Sequence, residues 1–203
     1  MANPPVYLVR SCHPPVQWDQ AEILRDFTCP WQQANLPVTQ FRALHSESGL
    51  HFRFDAVEPI GPRPQGGSAR ERVLESSRVE LFFSACANLS SYHCFEFSPW
   101  GEALIYEARF HRQMNWDWSA QPFQWQAQWL EAGYRVEGLL PWATLQQMGL
   151  GRHGPWHVGV FRALFQPTAT GDHLRFWMPW RNPQTAKADF HVPSAFGRFE
   201  LAH

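Results

Sequence analysis

Phe123, Trp125, Ala127 and Trp129 alternate strictly with Gln124, Gln126 and Gln128. A period of two places the first set on one side of an extended strand and the glutamines on the other. A helix would scatter the same four side chains around its circumference. The spacing therefore predicts a strand with an aromatic buried face and a wetted glutamine face. Further strand patterns run over 38–45, 50–56, 78–83, 92–97, 103–110, 134–140, 156–165, 174–177 and 198–201, punctuated by Gly, Pro and Asn. Helical signals are few. One turn is expected over 141–148, with Pro141 at its first position, and a second short helix over 19–26. Many short strands with so few helices predict an all-β antiparallel β-sandwich, with residues 1–203 forming a single domain.

The segment 58–73 breaks the pattern. Pro59, Gly61, Pro62, Pro64, Gly66 and Gly67 exclude a regular strand, so it reads as a long loop, functional or disordered.

Residues 86–94 read as a hairpin turn centred on Leu89, a register that sets Glu80 opposite Ser98 and Glu96 opposite Phe82. Both glutamates then share a face with Phe82, Tyr92, Cys94 and Ser98. Val79, Leu81, Phe83, Phe95 and Phe97 occupy the other face and read as core. The polar face has two readings, the solvated side of a sheet or a ligand surface. Aromatic rings beside hydrogen-bonding groups suit pyranose rings, whose C–H faces stack while their hydroxyls bond.

Composition narrows the classes. The 203 residues carry 11 Trp and 16 Phe, more aromatic surface than one small core needs. Net charge is −1 and only 17% of residues are charged, so nothing attracts a polyanion and nucleic acid is not an expected partner. No apolar run approaches the roughly 18 residues needed to span a membrane. The N-terminus lacks the basic and apolar regions of a secretory signal. That predicts a cytoplasmic protein if the chain is whole, and a secreted or periplasmic one if a signal has been removed. The four Cys match no zinc spacing and read as free thiols. Nucleophile elbow, P-loop, HExxH and dinucleotide motifs are all missing, so no catalytic residue and no metal ligand set is assigned.

The order of several segments carries a resemblance. Ser77-Arg-Val-Glu-Leu-Phe-Phe83, Phe95-Glu-Phe-Ser-Pro99, Gly133-Tyr-Arg-Val-Glu137, Arg175-Phe-Trp177 and Phe190-His-Val-Pro-Ser-Ala-Phe-Gly197 follow one another as in family 9 carbohydrate-binding modules. The chain resembles that family and the broader DOMON-like group of sandwiches, from about residue 38 to the C-terminus. The resemblance implies a DOMON-like sandwich and non-catalytic recognition of a mono- or oligosaccharide. The family holds a terminal sugar between two Trp rings, and those positions fall on Leu74 and Phe190 here. Its hydrogen-bonding Glu matches Glu80, its Arg falls on Glu96, and its Asn falls on Ser98. The expected sugar site is therefore Glu80, Glu96, Ser98, Phe190 and His191, with Trp180 as a replacement ring. Trp100, Trp116 and Trp118 are further candidates for that ring. No cofactor is expected, but two stay open. Some DOMON-like domains hold haem, for which Met114, Met148 and Met178 are candidates, and some family 9 modules hold calcium, near Asp19, Glu22 and Asp26. A protein-interaction or structural sandwich remains the other alternative to sugar binding.

Overall fold

A computed structural model of the chain describes residues 3–59, 61, 63–168 and 172–202. The alternating segments become twelve strands among these residues. They are β1 (Val6–Ser11), β2 (Thr39–His45), β3 (Gly49–Val57), β4 (Arg78–Ser84), β5 (Tyr92–Phe97), β6 (Ala103–Arg109), β7 (Gln113–Asn115), β8 (Gln124–Leu130), β9 (Gly133–Pro141), β10 (Trp156–Pro167), β11 (His173–Pro179) and β12 (Gly197–Leu201). Two α-helices accompany them, α1 (Ala69–Leu74) between β3 and β4, and α2 (Trp142–Gln147) after β9.

The first sheet runs β7-β6-β5-β4-β10, all antiparallel. The long β10 carries two partners in succession on its other edge, β12 along 156–158 and β11 along 161–167. The second sheet runs β2-β3-β9-β8, also antiparallel. β1 joins the two sheets. Its first four residues pair in parallel with β12, and Arg10 and Ser11 pair in parallel with Leu44 and His45 of β2. The result is one curled, mixed path folded over itself as an all-β, sandwich-like structure.

The main core lies between the inner faces. Val79, Leu81, Phe83, Phe95 and Phe97 are fully buried there, as the alternation predicts. Phe97 stacks on Phe52 of the opposite sheet at 5.4 Å and meets Trp125 at a tilt at 4.9 Å. Phe123, Trp125, Ala127 and Trp129 are partly buried against this core, while Gln124, Gln126 and Gln128 are exposed. Arg162 of β10 ties the layers together. Its guanidinium reaches Glu58 Oε2 at 2.9 Å and Thr39 Oγ1 at 2.7 Å, and Ser77 donates to Glu58 at 2.5 Å.

Four local expectations are corrected. Residues 19–26 make only a single 3₁₀ turn, Trp18–Gln20, and Leu24 then bridges to Phe41 as extended chain. Pro141 caps α2 instead of occupying its first turn. Residues 69–73 of the expected loop belong to a helix that runs on to Leu74; 60 and 62 lie outside the described residues. The β4–β5 register is two residues from that expected, with Glu80 directly opposite Glu96 and Phe82 opposite Cys94. A slip of two keeps every side chain on its face, so the face assignments survive.

Candidate functional site

The face bearing Glu80 and Glu96 is not solvated. Every residue of β4 and β5 is buried, and a second apolar cluster covers the outer side. Val73, Phe82, Tyr92, Phe161, Phe190 and Phe196 belong to it. α1 supplies part of the cover. Ser68 caps it by accepting from Glu71 N–H, and the Glu71 carboxylate accepts from Ser68 N–H at 2.6 Å, a capping box. Gly66 and Gly67 precede it with φ of 73° and 65°, a region that side chains rarely tolerate. Arg72 fixes the helix to the residue just before β6 through two bonds to Glu102 Oε1, at 2.8 and 2.6 Å.

Between α1, β4–β6, β11 and the 188–191 segment lies a pocket of about 360 Å³. Arg70 and Leu74, one helical turn apart, enter it from α1. Glu80 and Glu96 line its floor, at 2% and 4% exposure. Arg78 sits between them. Its Nε donates to Glu96 Oε2 at 2.7 Å and lies 2.9 Å from Glu80 Oε1. The N–H direction serves Glu96, so Glu80 Oε1 has a cation beside it but no hydrogen bond. Tyr106 donates to the other Glu96 oxygen at 2.7 Å. Burial, and then the charge of Glu96, push the Glu80 carboxyl up to about 8, with Arg78 opposing.

The wall opposite is a polar clasp. Asp189 accepts from Arg112 at 3.1 Å, from His191 N–H at 3.0 Å, and lies 2.7 Å from His111 Nε2. His191 Nδ1 meets the Tyr92 hydroxyl at 3.0 Å. Burial, helped by Arg112, pushes the His191 imidazole down to about 3, so it is neutral at ordinary pH. Phe190 lies flat on Phe161, with centroids 4.2 Å apart and planes 6° apart. Trp177 meets Phe190 edge-on at 5.8 Å, and both rings line the pocket. Trp116 stands at the rim, 38% exposed, with the Arg70 guanidinium 3.5 Å over its ring and Tyr106 at 4.5 Å.

Of the residues expected from sequence, Glu80, Glu96, Phe190 and His191 line this one pocket. Leu74, where the family has its first clamp ring, lines it too. Ser98 does not. It is fully buried at the turn after β5, where its hydroxyl accepts from Trp100 N–H. Trp180 belongs to the main core, packed 6.2 Å from Phe199 and against Gly197. Trp116 lines the pocket, whereas Trp100 packs on Trp129 and Trp118 on His93. Sequence reasoning passed over Arg70, Arg78, Tyr106, Arg112, Trp177 and Asp189. Arg78 was legible, two residues from Glu80 and hence on the same face. Trp177 stood inside a matched segment.

A larger depression of about 430 Å³ lies beside Trp18 on the second sheet. It is open, and its polar groups satisfy one another: Glu137 pairs with Arg53 and Gln126, and His51 with Ser46. The buried, incompletely bonded Glu80 makes the smaller pocket the stronger candidate of the two.

Met148 and Met178 are buried, with only Met114 at the pocket. Glu22 accepts from Leu8 N–H and faces Arg10. Among the described residues no group of three or more His, Cys, Asp or Glu is placed to hold a metal ion, and no helix is long and apolar enough to cross a membrane.

No family model matches the chain, and no curated protein matches its sequence. Solved structures do. A Bacteroides uniformis protein whose carbohydrate-binding assignment is provisional superposes with a TM-score of 0.72 at 16% identity, over 98% of this chain and all of that one. A family 9 carbohydrate-binding module from Caldicellulosiruptor kristjanssonii in complex with cellotriose gives 0.64 at 12% identity, over 97% and 93%. The glucose complex of a family 9 module from the same organism gives 0.61 at 13%, over 98% and 96%. The chain is thus built on the fold of the family 9 carbohydrate-binding modules.

Proposed function

We propose that the pocket over Glu80 and Glu96 binds a saccharide without transforming it. The observation that carries this reading is convergence. Glu80, Glu96 and Trp177 meet in one concavity, at the place where the family's clamp positions, Leu74 and Phe190, fall. A volume of about 360 Å³ sits at the lower end of small-ligand pockets. Trp177 offers a half-buried aromatic surface, and the Glu80 carboxyl lines the floor with its buried Oε1 lacking a hydrogen bond. Neighbours of the same fold are carbohydrate-binding modules, one solved with cellotriose and one with glucose. Binding in place of hydrolysis follows from the acids' placement. Hydrolysis needs two carboxyl groups flanking the scissile bond. Here both are drawn to the same Arg78 nitrogen and lie side by side on the floor.

One ring and a few hydrogen bonds give weak binding, with dissociation constants of about 0.1–10 mM. Calorimetry and thermal shift against a panel of mono- and oligosaccharides test this. Trp177→Ala and Glu80→Gln should each lose binding in a protein that still melts cooperatively. A panel in which no sugar shifts the melting temperature at tens of millimolar would overturn the reading and leave an interaction or structural sandwich.

A further inference from the structure

Three arginines reach the pocket, and they are not equivalent. Arg78 is held between Glu96 and Glu80 on the floor. Arg112 is held by Asp189, which also faces His111. Arg70 has no such partner: among the described residues, no carboxylate lies within ion-pair distance of it. The contrast with its neighbour on the helix is sharp. Arg72 bonds Glu102 twice and also reaches the carbonyl of Gly67 at 2.7 Å.

Arg70 is nevertheless positioned. Its guanidinium lies 3.5 Å over the Trp116 ring, Trp116 packs at 4.5 Å on Tyr106, and Tyr106 donates to Glu96. A chain of contacts therefore runs from the rim cation to the acidic floor. Stacking uses the face of a guanidinium and leaves its N–H edge free in the plane. That edge matches two oxygens of a carboxylate, a geometry Lys cannot offer. The pocket's own acids are already engaged with Arg78, Arg112 and His111, which leaves the Arg70 edge open to an anion from outside.

We infer that the saccharide bound here carries a carboxylate, a uronic acid unit, which pairs with Arg70 while the ring sits over the Glu80–Glu96 floor. This rests on the saccharide reading above and narrows it from sugars in general to acidic ones. Burial of Glu80, which favours its protonated form, supports it by removing one negative charge that would repel such a ligand.

The test compares glucuronate, galacturonate, glucose and acetate by calorimetry, with wild type, Arg70→Gln and Arg70→Lys. Arg70 is exposed, so neither substitution should move the melting temperature appreciably. At least one uronate should bind wild type about tenfold or more tighter than glucose. The preference should vanish in Arg70→Gln, survive in part in Arg70→Lys, and shrink in about 0.5 M NaCl. If glucose binds as tightly as both uronates, or if the preference survives Arg70→Gln, the inference is overturned and saccharide binding stands. If acetate binds as tightly as the uronates, the site is a simple anion site and the inference is overturned. If none of the four binds, the inference falls together with the saccharide reading.

Discussion

Glu80 and Glu96 face each other directly across the β4–β5 ladder, and a single nitrogen, Arg78 Nε, lies 2.9 Å from one oxygen of the first and 2.7 Å from one oxygen of the second. Two buried like charges at that position would repel, so the Arg78 cation, and the burial that favours the protonated form of Glu80, together make the arrangement tolerable. The two halves of the arrangement should respond very differently to substitution. Arg78→Leu leaves Glu96 without its charge partner in a buried site and should cost about 3–5 kcal/mol. Glu80→Gln keeps the shape, stays neutral as the protonated carboxyl is and leaves the Arg78–Glu96 pair intact, so it should change stability by less than about 1 kcal/mol. Urea unfolding of the two variants checks this; comparable losses in both would contradict it.

The same groups set the pH dependence of stability. Glu80 is raised from 4.5 to about 8, so between those values the folded chain keeps a proton that the unfolded chain releases. Its contribution therefore declines as pH rises through that window. His93 and His191 act in the opposite sense. Burial lowers them from 6.5 to about 4 and about 3, so in acid the unfolded chain takes up protons that the folded chain refuses. Stability from these two rises with pH and levels off near 6.5. The melting temperature should peak at about pH 6–7 and fall toward pH 8. In Glu80→Gln the fall from pH 6.5 to 8 should flatten, and the rise from about pH 4.5 to 6.5 should steepen, because Glu80 no longer opposes the histidines there. A melting temperature still rising between pH 7 and 8 in wild type would show that Glu80 is ionised when folded.

How much of this was legible in the sequence depended on the scale of the signal. Period-two patterns gave most of the strands and the two-sided assignment of β4 and β5, because parity survives a register error of two. The register itself was not legible: it depends on how many residues the Cys86–Ser91 turn takes up, and Ser84 Oγ bonding Cys86 and Ser91 fixes that count. α1 was readable from Ser68 and Glu71 at capping-box spacing, but the Pro and Gly before it masked the signal. β1 was missed because its role is to join two sheets, with parallel partners far along the chain. Within the candidate site, residues on matched strands were foreseeable. Arg70, Arg112 and Asp189 were not, since a helix, a tight turn and a late loop bring them together only in the folded chain.

The main core supplies a third expectation. Phe95 is fully buried and meets Phe83, Trp118 and Phe123 at 5.4–6.2 Å. Phe95→Ala should cost about 3–5 kcal/mol, and Trp125→Ala, at a half-buried position, about 3 kcal/mol. Gln126→Ala on the opposite face of the same strand should cost well under about 1 kcal/mol. Chemical denaturation of the three variants reads the difference. Equal losses at 125 and 126 would mean that β8 does not present one face to the core.

Gly159 ties the second cluster to the pocket. A Cβ placed there would lie 2.3 Å from Phe161 Cζ and 2.4 Å from Cε2, so the ring occupies the space that glycine leaves. Phe161 in turn is the surface on which Phe190 lies flat. Gly159→Ala must therefore push Phe161 aside, and Phe190 with it. The cost should be about 1–3 kcal/mol from overpacking. Ligand affinity should fall with it, although residue 159 does not itself line the pocket. Shrinking the displaced ring should relieve the strain. In a double-mutant cycle, Gly159→Ala combined with Phe161→Leu should lose less stability than the two single losses added, by at least about 0.5 kcal/mol. Strict additivity in urea unfolding would mean that the two residues do not share that space. Unchanged affinity in Gly159→Ala would mean that Phe190 does not transmit the displacement to the site.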